Sequence, residues 1–266
     1  MSLTRSYSMY TLVNAGRAMF ATGIFLLGLL CMVNTDFIAG RPPAWPAAFN
    51  PNPLLGYFTG SLMMLAAVAI VCGVSARMAS AIIALLLLCF SVLRHLPFFM
   101  NDWANAYKSI ALLGGAVMIA ASYNYFPVAG ANEAPVRRAI AKLALPAGSM
   151  ALAVFFIACS YAHFRYASFV KSIIPSYIPY GFFWTFFSGA CLLAAGIGLL
   201  LPTVRSRAAL WAGIMITGWF FLLHIPRLAA DPENSSDRMG VAESLAIAGI
   251  CFSVAAMAQK RINTIE

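Results

Sequence analysis

Three histidines, His95, His163 and His224, are the side chains best suited to proton or ligand chemistry near neutral pH. Two of them repeat a short motif, His95-Leu96-Pro97 and His224-Ile225-Pro226. A histidine in front of such a proline can hydrogen-bond carbonyls where proline interrupts the helical ladder. It can also contact a quinone or another small ligand. A pair at matched depth on two helices could also supply the two axial ligands of a haem. Structural hydrogen bonding ranks first among these uses, a quinone or small-ligand contact second and haem last. Lys108 and Glu243 lie at equivalent positions, each expected in the first turn of a helix, with Asp36 and Arg94 beside the histidines. A helix N-terminus favours Glu243 and disfavours Lys108, each by about 0.3–1 kcal/mol. Lys108 is therefore expected to snorkel to water or to pair with Asp36, Asp102, Glu243 or an anionic ligand.

Other chemistry is poorly represented. The chain has no G-x-S-x-G, no Walker loop, no H-E-x-x-H and no Gly-rich turn after a strand. Its six cysteines (Cys31, Cys72, Cys89, Cys159, Cys191, Cys251) all fall in apolar stretches without a C-x-x-C, so neither a dithiol centre nor a metal site is expected. They read as small packing residues, and pairing of Cys31 with Cys159 stays open.

The elements that carry these residues follow from composition. Of 266 residues, 62% are hydrophobic and 9% charged, far from the balance of a water-soluble domain. A net charge of +9 would suggest nucleic acid in a soluble chain, but the basic residues sit in short gaps between apolar blocks, so no nucleic-acid partner is expected. Crossing a bilayer takes about 20 apolar residues of helix. Eight segments qualify, near 15–33, 54–75, 78–96, 106–126, 145–163, 180–201, 208–226 and 241–258. Runs such as Ile82 to Phe90 do not alternate, which excludes a barrel. The expected fold is an all-α membrane protein of eight transmembrane helices in contact with lipid. Ten of the seventeen basic residues fall on the side of the N-terminus, which places both termini in the cytoplasm of a bacterial inner membrane. No cleaved signal peptide is expected.

The sequence also reads as one unit written twice. Asp36-Phe37 matches His163-Phe164, and each is followed by a loop rich in proline and aromatic residues, from Arg41 and from Ile173. Thr59-Gly60 matches Ser188-Gly189, the two His-x-Pro motifs match, and Lys108-Ser109-Ile110-Ala111 matches Glu243-Ser244-Leu245-Ala246. This divides the chain into a first four-helix unit (1–126), a cytoplasmic linker (127–144) and a second unit (145–266). Each unit has an even number of spans. The two should run in the same sense, related by a pseudo-two-fold axis along the membrane normal. His95, His163, His224, Lys108 and Glu243 then all fall at the outer end of a span, with Asp36 and Arg94 beside them. So do many aromatics, among them Trp45, Trp103 and Trp184. The expectation is one shallow polar pocket at that face.

The unit resembles the DoxX-like family of four-helix membrane proteins. The resemblance rests on Asp36-Phe37 and the loop through Pro46, Gly60, Arg77-x-Ala79, His95-x-Pro97, and the stretch from Trp103 through Lys108-Ser109 to Gly114-Gly115-Ala116. A more divergent second copy has His163 for the acid and Glu243 for the lysine. The resemblance implies a membrane subunit of a redox system, of the thiosulfate:quinone oxidoreductase kind. Such a subunit would bind quinone or a similar apolar ligand near the outer leaflet. His95, His224 and Lys108 would then hold the polar head, and Trp45, Trp103 and Trp184 would flank the ring. A non-catalytic scaffold that docks a partner protein in a larger membrane complex is the alternative, and a small-molecule or lipid transporter ranks third.

Overall fold

An apolar stretch withdrawn from water must satisfy its N–H and C=O groups within its own backbone, which a helix does segment by segment. The computed structural model describes residues 3–37, 45, 52–127 and 135–265, and every regular element among them is helical. The helices are α1 (Leu3–Val33), α2 (Leu54–Cys72), α3 (Ala76–Phe90), α4 (Trp103–Tyr125), α5 (Pro135–Arg165), α6 (Ala167–Ile173), α7 (Gly181–Leu200), α8 (Arg205–Trp219), α9 (Ile225–Ala230) and α10 (Ser235–Ile265). Among the described residues, eight stretches are long and apolar enough to cross a membrane. They correspond to the eight expected from composition.

The boundaries differ at instructive places. α1 begins at Leu3 and α5 at Pro135, so the second part of the expected 127–144 linker is already helix; residues 128–134 lie outside the described residues. The loop from Arg41 to Pro46 also lies outside them, apart from Trp45. The short helix α6 occupies what reads as loop. α2 stops because Gly73 adopts φ 70°, a left-handed conformation that costs glycine nothing, and its N–H closes on Ala69 and Ile70.

Consecutive long helices pack on each other, α1 on α2, α2 on α3, α3 on α4, α4 on α5, α5 on α7, α7 on α8 and α8 on α10. α10 then closes the ring on α1, and α4 meets α10 across its middle. α10 is accordingly the most enclosed helix, with 89% of its apolar window buried against 22% for the rod formed by α8 and α9. α1 and α10 come together through small residues. A Cβ on Gly16 would lie 2.5 Å from Ser253 Oγ and 2.6 Å from the Gly249 carbonyl.

Chain direction alternates, so the polar residues of interest collect at one end of the ring. At the other end, cations meet helix C-termini, where carbonyls lack partners. Arg17 is buried and donates from Nη2 to the Phe126 carbonyl (2.9 Å) and from Nε to Ser122 Oγ (2.9 Å), stacked over Tyr123. Lys260 donates to the Tyr125 carbonyl, and Arg205 Nε to that of Leu199 at 2.8 Å. These basic side chains thus cap α4 and α7.

Candidate functional site

The two His-x-Pro motifs shape their helices in the same way. Proline has no N–H to return to the carbonyl one turn back. Each helix widens there into a π turn that ends on the histidine, Ser91–His95 and Phe220–His224. Such turns are rare and concentrate at functional sites. In the second, the Leu222 carbonyl lies four residues before Pro226 and accepts the Tyr177 hydroxyl. Tyr177 therefore does the carbonyl bonding expected of His224, whose ring makes no hydrogen bond to any described residue. That ring lies over Gly240, where a Cβ would stand 2.8 Å from Nδ1. His163 bonds its own helix, with Nδ1 2.7 Å from the Cys159 carbonyl. A carbonyl only accepts, so Nδ1 carries the proton and Nε2 of the neutral ring is an acceptor.

A polar string leads inward from the start of α4. Asp102, Asn105 and Lys108 follow at three-residue intervals and share one face. Asn105 Nδ2 donates to Asp102 Oδ1 (2.8 Å), and Lys108 Nζ donates to Asn105 Oδ1 (3.1 Å) and to Glu243 Oε2 (2.8 Å). His95 Nδ1 stands 3.7 Å from Asp102 Oδ2 at the outer end of the string. Of the partners considered for Lys108, the structure selects Glu243, which joins α4 to α10. Neither residue is in a first helical turn, however. Lys108 follows the start of α4 by five residues and Glu243 that of α10 by eight, about 7 and 12 Å along the axis. The helix-terminal charge effect fades within one turn, so mutual pairing, not the dipole, holds them. Glu243 Oε1 is buried without a hydrogen-bond partner among the described residues.

This pair borders an open cavity of about 760 Å³ lined by α4, α5, α7, α8 and α10, with α6 and α9 at its rim. Lys108, Glu243, His163 and His224 line its polar side. Phe155, Phe156, Leu192, Ile216 and Ile247 form its apolar wall. At the rim, Arg227 grips Asp237 with two hydrogen bonds (Nε to Oδ1 2.7 Å, Nη2 to Oδ2 3.2 Å) and donates from Nη1 to the Ile173 carbonyl at 2.8 Å. That one side chain ties α6, α9 and α10 together.

The remaining expected site residues are placed elsewhere. Asp36, Arg94 and Trp45 form a second cluster against α3. Arg94 Nη1 reaches both carboxylate oxygens of Asp36 (3.2 and 3.1 Å) and the Phe37 carbonyl (3.2 Å). Trp45 Nε1 donates to Asp36 Oδ1 at 2.8 Å while its ring carries the Arg94 guanidinium at 4.1 Å. His95 is buried next to this cluster, edge-on to Phe90. The polar end thus has two centres, joined by the string through Asp102 and Asn105, where a single pocket was expected. Trp103 packs on Tyr107 and Tyr161, and Trp184 on Trp219 and Phe187; the phenylalanine rings that line the cavity are Phe155, Phe156 and Phe169. Cys31 and Cys159 form no disulfide, and Cys159 lies on the cavity wall.

Asn105, Arg227, Asp237 and Tyr177 were not singled out by sequence reasoning. Asn105 had a signal, its three-residue spacing from both Asp102 and Lys108. Arg227 directly follows Pro226, but its partner Asp237 lies beyond a turn that no periodicity predicts. A profile described as a domain of unknown function (DUF8561) matches residues 152–254. That segment carries every cavity-lining residue except Asn105 and Lys108. No curated protein and no solved structure matches the chain.

Proposed function

We propose that this chain is a membrane subunit of a redox system, built from two parallel DoxX-like repeats, that binds a quinone or a similar apolar molecule in the cavity. It resides in a bacterial cytoplasmic membrane with both termini inside, so the cavity lies near the outer leaflet. The observation that carries the reading is the cavity itself. Its volume of about 760 Å³ suits a ring with the start of a tail. An apolar wall faces a few convergent polar groups, the arrangement expected of a site for a lipid-soluble molecule with a polar head. His224 has both ring nitrogens to offer, and Lys108 has one N–H beyond those given to Asn105 and Glu243. The twin π turns and the matching order of helix neighbours support the repeat. The chain carries no cofactor motif of its own, so electrons would pass to or from a cofactor-bearing partner protein.

Solvent extraction of protein purified from membranes tests the reading. About one isoprenoid quinone per chain is expected. His224→Phe, which places a larger apolar ring beside the polar groups, should lower that occupancy at least about fivefold. Protein that carries no quinone and fails to bind added decylubiquinone would overturn the assignment and favour a scaffold.

A further inference from the structure

Resting on the cavity's proposed role as a quinone-type site, we infer that it selects ligands whose head donates hydrogen bonds, and so takes the reduced, hydroxyl-bearing form over the oxidised, carbonyl-bearing one. Two acceptors in the lining carry the inference. Glu243 is 5% exposed; its Oε2 is held by Lys108, and its Oε1 is buried with no donor among the described residues. His163 spends its only N–H on the Cys159 carbonyl, which leaves Nε2 as an acceptor that no described residue meets. A buried carboxylate oxygen without a donor is among the costliest vacancies a protein can hold. A hydroxyl that fills it returns that cost, whereas a quinone carbonyl set against the same oxygen adds lone-pair repulsion. Donors with N–H to spare, on Lys108, His224, Asn105 and Arg227, are all partly exposed and can keep water, so an accepting head gains less from them.

Charge narrows the class further. Lys108 with Glu243 and Arg227 with Asp237 are two closed ion pairs, so the lining carries no net formal charge and suits an uncharged head. The ligand is then a neutral lipophile with a hydroxyl, either a quinol or a hydroxyl-bearing lipid of the bilayer.

Calorimetric titration of the full chain in nanodiscs, under anaerobic conditions, separates these statements. Decylubiquinol should bind at least about tenfold more tightly than decylubiquinone, the weight of one hydrogen bond to a charged acceptor. para-Decylphenol should likewise exceed para-decylanisole, which keeps the oxygen but lacks the proton. This comparison needs no mutant. In Glu243→Gln the amide oxygen can keep Lys108 while its NH₂ takes the place of Oε1, so the preference should shrink or reverse. Binding of dioleoylglycerol with no binding of decylubiquinol would identify the hydroxyl source as lipid, upholding donor selection and removing quinol as the ligand. Equal affinity within both reduced and oxidised pairs would overturn the selection but leave the cavity as a quinone site. Failure of every probe to bind would overturn both.

Discussion

Lys108 and Glu243 show how much a single contact decides at the residue scale. Each alone would be a charge held more than one helical turn inside a span, and ionisable groups there face an interior partner or a cavity. Together, at 2.8 Å, they lock α4 to α10. Removing one partner strands the other, which in buried pairs costs about 3–5 kcal/mol; the Lys108 side chain is 23% exposed, so the lower end applies. Lys108→Glu and Glu243→Lys should each destabilise by about 3 kcal/mol in SDS titration from micelles. The double swap should recover most of that loss. Singles that behave like the parent chain would show that water, not pairing, holds these charges. Arg94 makes the contrasting case. Its guanidinium lies over the Trp45 ring while Nη1 reaches Asp36 and the Phe37 carbonyl, and lysine has no planar group to place on that ring.

Helices in lipid gain little from burying apolar surface against one another, so close backbone approach matters more than side-chain volume. The contact of α1 with α10 depends on this. A Cβ on Gly249 would meet the Gly16 carbonyl at 2.5 Å and backbone of α1 that cannot rotate away. Gly249→Leu should therefore cost about 2–3 kcal/mol by overpacking. Gly218, in α8, has no heavy atom within 4 Å of its would-be Cβ. Gly218→Ala should be neutral, or stabilising by up to about 1 kcal/mol through helix propensity. Thermal unfolding in detergent compares the two. Equal effects would show that the α1–α10 contact is looser than described. The two π turns belong to this scale as well, since a proline two residues on is a local signal that resets the direction of each histidine.

Across the whole molecule, the ring of helices interlocks the two halves of the sequence. α1 packs on α10, α4 packs on α5, and α4 meets α10 in the middle. The fragments 1–130 and 131–266 should accordingly co-purify when expressed together with a tag on one, and each alone should be degraded or aggregate. A first fragment that is stable by itself would mean that the halves are autonomous bundles. The eight spans, their all-helical nature and the gathering of His95, His163, His224, Lys108 and Glu243 at one end were legible in the sequence, because hydropathy and strict alternation of direction fix them. Glu243 was legible as one of several partners for Lys108, beside Asp36, Asp102, an anionic ligand and water, and the structure pairs the two at 2.8 Å. The sequence did not show that the halves diverge in packing. Arg94 and Leu223 each stand just before the histidine of a His-x-Pro motif, and Asp36 and His163 each lie near the outer end of a long helix. In the first half an ion pair stacked on Trp45 fills the space beside α3. In the second, Leu223 and His163 leave a hollow that α6 and the Arg227–Asp237 pair roof over. Length, apolarity and chain direction are properties of single segments, so the sequence alone determined the spans and the end at which polar groups lie. Whether a space is filled or open depends on side chains from five helices meeting at once, and only the tertiary structure decided that.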